Sequence, residues 1–204
     1  MRILGIQDGH NAAAALIEDG KILAAIQEER LTRYKNQGGF PKKAVDNILQ
    51  FTNLSLDQID WFVYPGMAGA DIITREDVLA SYYKKTEISA GDFLRFKRRQ
   101  FKRLLRSSRK KKNREQLKRQ KRWQQLVNAG VAKNQIEHIE HHTCHAATAY
   151  YGAGPTNESI LVLTCDGAGD ELCATVNIGE NGVIRRLAEV SQANSAAYLY
   201  GLIT

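Results

Sequence analysis

Near the start of the chain, apolar positions come in three short runs, Ile3 to Gln7, Ala12 to Glu18 and Ile22 to Glu28, separated by Asp8-Gly9 and Asp19-Gly20. Runs of this length read as strands, and Asp-Gly between them reads as a hairpin turn, because both residues tolerate the positive φ that a tight turn needs. An antiparallel three-stranded meander is therefore expected. The stretch Glu28 to Lys35 is polar and irregular, and Gly38-Gly39-Phe40-Pro41 breaks the chain before a helix at about Lys42 to Thr52. Leu56 to Tyr64, closed by Pro65-Gly66, reads as a turn into a buried strand. Thr74 to Lys85 has helical spacing.

From Asp92 to Ala129 there is neither Gly nor Pro. Phe93, Phe96, Phe101, Leu104, Leu105, Leu117, Trp123 and Leu126 form an intermittent apolar face, which predicts one long helix or a helical pair. The β pattern then restarts. Ile136 to Ile139 is a short strand, His141 to Tyr151 a helix ended by Gly152, and Ile160 to Asp166, Leu172 to Ile178 and Val183 to Val190 are three strands. Gly167-Ala168-Gly169 and Gly179 to Gly182 are their expected turns. Ala196 to Thr204 opens another helix inside an apolar segment, so the chain is expected to be incomplete at that end. The organisation read from this pattern is one domain begun at 1–90, interrupted by a helical insertion at 91–129 and continued at 130–204.

Composition changes the picture in one place. The chain has 204 residues and a net charge of +7, but Lys97 to Arg122 holds fifteen Lys or Arg against one acid, Glu115, a local charge of +14 that leaves −7 on the rest. A mildly acidic body thus carries a basic insert. Runs this dense can bind nucleic-acid backbones through counterion release, or can simply be a solvated helix that repels itself. No groove-reading motif or stacking platform accompanies this one, so the solvated reading is preferred. No apolar run reaches the roughly 20 residues of a membrane span, and Met1 to Ile6 reads as a strand rather than a signal peptide. A cytoplasmic protein with no membrane partner is expected. Cys144, Cys165 and Cys173 are odd in number and fit no framework spacing, so they are expected reduced, with Cys165 and Cys173 as small core residues. A zinc site using all three and a histidine fits no known finger spacing.

The densest chemistry runs from His141 to Glu171. His141 and His145 stand four apart, one turn from each other on one helix face, so both imidazoles can reach one cation. Two ligands do not close a site, and Asp166, at the end of the following strand, is the natural third. Helix-surface or capping histidines are the alternative. Asp166-Gly167-Ala168-Gly169-Asp170 can be a phosphate-binding turn, its glycines admitting a phosphate and its carboxylates a bridging metal, or an ordinary hairpin. Arg30, Arg33 and Lys35 can clamp an anion or be solvated charge. The strand and Asp-Gly turn pattern at 3–28 echoes that at 160–190, as a duplicated nucleotide-binding fold would.

In order along the chain, Ile3-Leu4-Gly5-Ile6 with His10-Asn11-Ala12-Ala13-Ala14-Ala15-Leu16 and Asp19-Gly20-Lys21-Ile22, then Glu28 to Lys35 with Phe40-Pro41, then His141-His142-Thr143-Cys144-His145-Ala146-Ala147, then Asp166 to Asp170 resemble the motifs of the NodU/CmcH-type carbamoyltransferases. The resemblance implies an α/β fold of the actin-like, sugar-kinase-like (ribonuclease H-like) class, a mixed sheet flanked by helices, here with a long basic helical insertion. It is similar, too, to the metalloprotein that attaches threonylcarbamoyl to tRNA adenosine. It implies that ATP and carbamoyl phosphate give a carbamoyl-adenylate whose carbamoyl group passes to a hydroxyl of a small-molecule acceptor. His141, His145 and Asp166 then match metal ligands, for iron before zinc. Gly167, Gly169 and Asp170 match the nucleotide or phosphate turn, His10 a general base, and Arg30, Arg33 and Lys35 anion contacts. Asn11 stands where the family usually has Asp. Family members are more than twice as long, with a further metal-binding Asp downstream and a C-terminal domain that makes the adenylate. Two other readings stay open, a tRNA-modifying threonylcarbamoyltransferase relative and a non-enzymatic nucleic-acid-binding module, each using the basic helix.

Overall fold

The computed structural model describes residues 1–66, 117, 120–154 and 157–197. The helix expected at Thr74 to Lys85, most of the basic run with Phe93, Phe96, Phe101, Leu104 and Leu105, and the segment from Tyr198 onward lie outside the described residues. The meander is present as β1 (Arg2–Gln7), β2 (Ala13–Glu18) and β3 (Lys21–Gln27), all antiparallel, with Leu4 opposite Leu16 and Ile6 opposite Ala14. With β4 (Trp61–Pro65) and β5 (Ile136–Ile139) the strand order is β3-β2-β1-β4-β5. A second sheet of β6 (Ile160–Gly169), β7 (Leu172–Glu180) and β8 (Val183–Ser191) is antiparallel in the order β6-β7-β8. Strands and helices together make an α/β chain, and it divides within β4 into two compact units.

The first unit comprises Met1–Phe62 and the described residues of 68–136. Alternation along β1 and β2 turns Leu4, Ile6, Ala14 and Leu16 to one buried face. α1 (Glu28–Thr32) occupies the stretch expected to be irregular and ends where Arg33 takes a left-handed φ of 60°. α2 (Lys42–Thr52) packs on β2 and β3 through Ala44, Val45 and Ile48. Pro41 stands at its N-cap and has no side-chain acceptor, so the orphan N–H groups of the first turn need another partner. Glu28, only 3% exposed, supplies it: its carboxylate oxygens accept from the N–H groups of Lys43 at 3.2 Å and Ala44 at 2.7 Å. The Asp19-Gly20 turn is a two-residue turn with positive φ at both positions, 48° and 80°. The Asp8-Gly9 connection is not. It runs from Asp8 to Ala12 with Asn11 at φ 58°, and its Asp8 carboxylate receives two bonds from Arg122, Nε at 2.8 Å and Nη2 at 2.7 Å. Arg122 closes the basic run, and its side chain is 7% exposed against 13% for Asp8. Thus at least this member of the run is not solvated charge. It belongs to a helical stretch at 120–128 in which Leu126 is buried, while Leu117 is 54% exposed rather than on the inner face that spacing predicts.

The second unit comprises 63–66 and the described residues of 137–197. α3 (His141–Gly152) lies on β6 and β7. Its axis is fixed near both ends by glycines that leave room for a ring. A Cβ on Gly179 would stand 2.3 Å from the Tyr150 ring, and one on Gly169 would stand 2.1 Å from that of His141. Ala146, Tyr150 and Val162 form the apolar core of this layer. Along β6 only alternate residues turn inward: Leu161 and Leu163 are 61% and 66% exposed while Val162 and Thr164 point inward. Cys165 is exposed too, on the outward alternation, and only Cys173 is a core residue as expected. The inward face carries a polar chain instead of more leucine. His142 Nδ1 lies 2.8 Å from Thr164 Oγ1, Thr164 Oγ1 lies 2.6 Å from Thr175 Oγ1, and Asn177 Nδ2 donates to Thr175 Oγ1 at 2.8 Å and to the Val162 carbonyl at 3.2 Å.

Candidate metal centre

The ligand helix begins where Glu140, with an extended ψ of 141°, ends the strand path of β5. Glu140 is the N-cap: its carboxylate accepts from the N–H groups of His142 at 2.7 Å and Thr143 at 2.9 Å, and the Arg186 guanidinium donates to it from β8. Burial pushes this carboxyl upward, but the Arg186 bond and the bonds from His142 and Thr143 outweigh it and draw its pKa from 4.5 down to about 2. A depressed carboxylate stabilises the fold fully above its ordinary pKa and loses that contribution as pH falls through the native value. Glu140→Gln is therefore expected to cost about 1 kcal/mol at neutral pH, a modest figure because the carboxylate is partly open to solvent. The gap from wild type should close as pH drops from 4.5 toward 2, the range bounded by its unfolded and native pKa values. Urea midpoints at several pH values measure it; a gap that persists unchanged to pH 2 removes Glu140 from this role.

One turn into α3, three donors converge. His141 Nε2 is 2.7 Å from Asp166 Oδ2, His145 Nε2 is 3.0 Å from His141 Nε2, and His145 Nε2 is 3.5 Å from Asp166 Oδ2. Helical periodicity places the two imidazoles, and β6 places the carboxylate. The His141 and His145 rings meet edge to face with centroids 4.6 Å apart. Asp166 feels burial, which raises its pKa, but hydrogen bonds from His141, the Gly167 N–H and His145 leave it below the ordinary carboxylate value. Bonds of about 2.0–2.2 Å from a first-row ion to nitrogen or oxygen set neighbouring donors roughly 3 Å apart. The observed triangle has that size, and two facing imidazole nitrogens and a carboxylate oxygen are a donor set suited to iron or zinc. Among the described residues this is the one group of His, Cys, Asp or Glu side chains with such convergence. No cysteine joins it. Burial pushes the Cys144 thiol up to about 11, so it is protonated at neutral pH.

The other residues singled out from the sequence are placed differently. Gly167 and Gly169 lie within β6 at an irregularity in its pairing with β7, and the turn itself is Asp170-Glu171, with φ of 47° and 75°. This differs from the glycine turn expected from sequence, because Asp and Glu take the left-handed positions while the glycines accommodate neighbours. The space beside Gly167 is open, its nearest neighbour being Ala197 Cβ at 4.0 Å from a Cβ built there, whereas the space beside Gly169 is filled by the His141 ring. Asp170 accepts from the His141 N–H at 2.9 Å. His10, Arg30, Arg33 and Lys35 belong to the first unit, where all four are exposed. Sequence reasoning missed Glu28 and Glu140 as caps. For Glu140 a signal existed, an acid immediately before the first helical residue; for Glu28, fourteen residues before α2, none did.

Comparison with known proteins places the chain in context. The family model described as Carbamoyltransferase N-terminus matches residues 2–204. A nodulation protein, NolNO, of Sinorhizobium fredii is 27% identical over 192 residues, covering 94% of this chain and 24% of that protein. Uncharacterized proteins of Synechocystis and Methanocaldococcus jannaschii are 29% and 28% identical, each covering 99% of this chain and 31% and 29% of their own lengths. The chain thus spans about a quarter to a third of the length of these relatives. No helix among the described residues is long and apolar enough to cross a membrane.

Proposed function

This chain belongs to the carbamoyltransferase N-terminal family, and from that premise we propose that it is the front part of a metal- and ATP-dependent O-carbamoyltransferase of the actin-like fold class. In this reading a carbamoyl group passes from carbamoyl phosphate, through carbamoyl-adenylate, to a hydroxyl of a small-molecule acceptor in the cytoplasm. The observation that supports it is the coincidence of the family match with the convergent His141, His145 and Asp166. Those three residues would hold a divalent ion, iron before zinc, and the ion would serve as a Lewis acid toward a phosphoryl or carbonyl oxygen. His141 and His145 would offer Nε2 to the ion, and Asp166 would bring the negative charge that partly neutralises it. The open space beside Gly167 suits close approach of a nucleotide phosphate; Gly169 and Asp170 of the same motif are committed to His141. His10 would accept the proton of the attacking hydroxyl, and Arg30, Arg33 and Lys35 would contact substrate anions.

The test is transfer of labelled carbamoyl from carbamoyl phosphate to small alcohols by a full-length protein containing this chain. ATP-dependent transfer that His141→Ala abolishes is the expected result, with the 204-residue chain alone inactive or nearly so. A metal-loaded full-length protein that transfers nothing to any alcohol refutes the reading. A second reading rests on the local charge of +14 from Lys97 to Arg122, namely carbamoylation chemistry directed at tRNA, or nucleic-acid binding without catalysis. Salt-dependent RNA binding lost on neutralising Lys110, Lys111 and Lys112 would favour it.

A further inference from the structure

The motif Asp166 to Asp170 contains more than one ligand and an open glycine. Asp166 is a donor, yet two other members of the motif contact the neighbouring donor, His141, rather than open space. A Cβ on Gly169 would lie 2.1 Å from His141 Cδ2, 2.3 Å from Cγ and 2.7 Å from Nε2. Cγ is the root of the ring, so the clash cannot be relieved by swinging its tip. Asp170 Oδ2 accepts the His141 main-chain N–H at 2.9 Å, one of the orphan donors of the first helical turn. We infer that Gly169 and Asp170 are positioning residues for the metal ligand His141, Gly169 by giving its ring a shelf without side chain and Asp170 by anchoring its backbone. One strand end thereby carries the third donor and sets the first. His145 meets this motif through the Asp166 carboxylate, at 3.5 Å, while Gly169 and Asp170 contact His141.

This inference rests on the proposed metal site, and the test separates the two. Cobalt(II), a spectroscopic stand-in for other first-row ions, is titrated into the 204-residue chain and followed by its ligand-field absorption. Thermal unfolding of each metal-free variant runs alongside. Gly169→Ala is expected to weaken cobalt binding about 10–100-fold, the range typical of lost outer-shell support. Asp170 sits at φ 47°, so the acceptor is isolated from backbone strain by a pair of substitutions. Asp170→Gly tolerates that φ without an acceptor, and Asp170→Asn tolerates it while keeping one. Asp170→Gly should lose affinity by a similar factor and Asp170→Asn should restore it, although both fold. In metal-free protein the His141 imidazole resonances should move in Gly169→Ala and stay in place in Asp170→Asn. Wild-type affinity in Gly169→Ala, or equal weakening by Asn and Gly at position 170, overturns the inference while leaving the metal site standing. No cobalt binding by the wild type overturns the metal site and the inference with it.

Discussion

Elemental analysis of the purified chain should return close to one iron or zinc ion per molecule, and the His141→Ala, His145→Ala double variant should return none. Three donor atoms lie within 4.8 Å of one another and their closest pairs are 2.7 and 3.0 Å apart. Without an ion, such closeness of two imidazole nitrogens and a carboxylate oxygen depends on shared hydrogens; with one, each atom has a natural partner. Removing both imidazoles leaves a single carboxylate, and the loss should far exceed the roughly 10–100-fold that an outer-shell partner is worth. Because the ligands bind deprotonated, occupancy should also fall in acid. Full occupancy in the double variant would mean that the ion sits elsewhere, and the cluster would then be an ordinary hydrogen-bonded triad.

The second large effect concerns stability. Arg122→Ala is expected to cost about 3–5 kcal/mol, because it leaves the nearly buried Asp8 carboxylate without both Arg122 bonds, and Asp8→Ala removes the same two bonds from the other side. That is a large part of the 5–15 kcal/mol that typically holds a domain together. The two side chains are 13% and 7% exposed and joined by two hydrogen bonds. The double variant should recover much of the loss, giving a coupling energy that survives in high salt, since buried pairs are weakly screened. Urea unfolding of the four proteins measures it. Single variants that lose less than about 1 kcal/mol would place the pair among surface ion pairs.

Much of the secondary structure was legible because local chemistry sets it. Lys42–Thr52 and Ile136–Ile139 are where periodicity and breakers put them, and Asp19-Gly20 is the turn its composition promises. What failed did so for tertiary reasons. Asp8 is drawn out of a tight turn by an arginine 114 positions away. Gly169 reads as turn chemistry but is explained by the ring it faces, and Cys165 reads as a core residue although the inward face of β6 is claimed by a polar chain. The pairing of His141 with His145 was visible as a spacing, whereas the reach of Asp166 to both depends on how β6 lies under α3.

That polar chain has one arrangement in which both threonine hydroxyl hydrogens find an acceptor. The Val162 carbonyl has no hydrogen to give, so it orients the Asn177 amide with its NH2 toward both Val162 and Thr175. Thr175 Oγ1, already a recipient, passes its own hydrogen to Thr164 Oγ1, which also receives the Thr175 main-chain N–H. The Thr164 hydrogen is then free for one destination, His142 Nδ1. In that arrangement a neutral His142 carries its hydrogen on Nε2. Among the described residues no acceptor meets that buried nitrogen. The order of hydrogens beneath α3 then runs from the Asn177 amide to His142, the residue beside the candidate ligand His141.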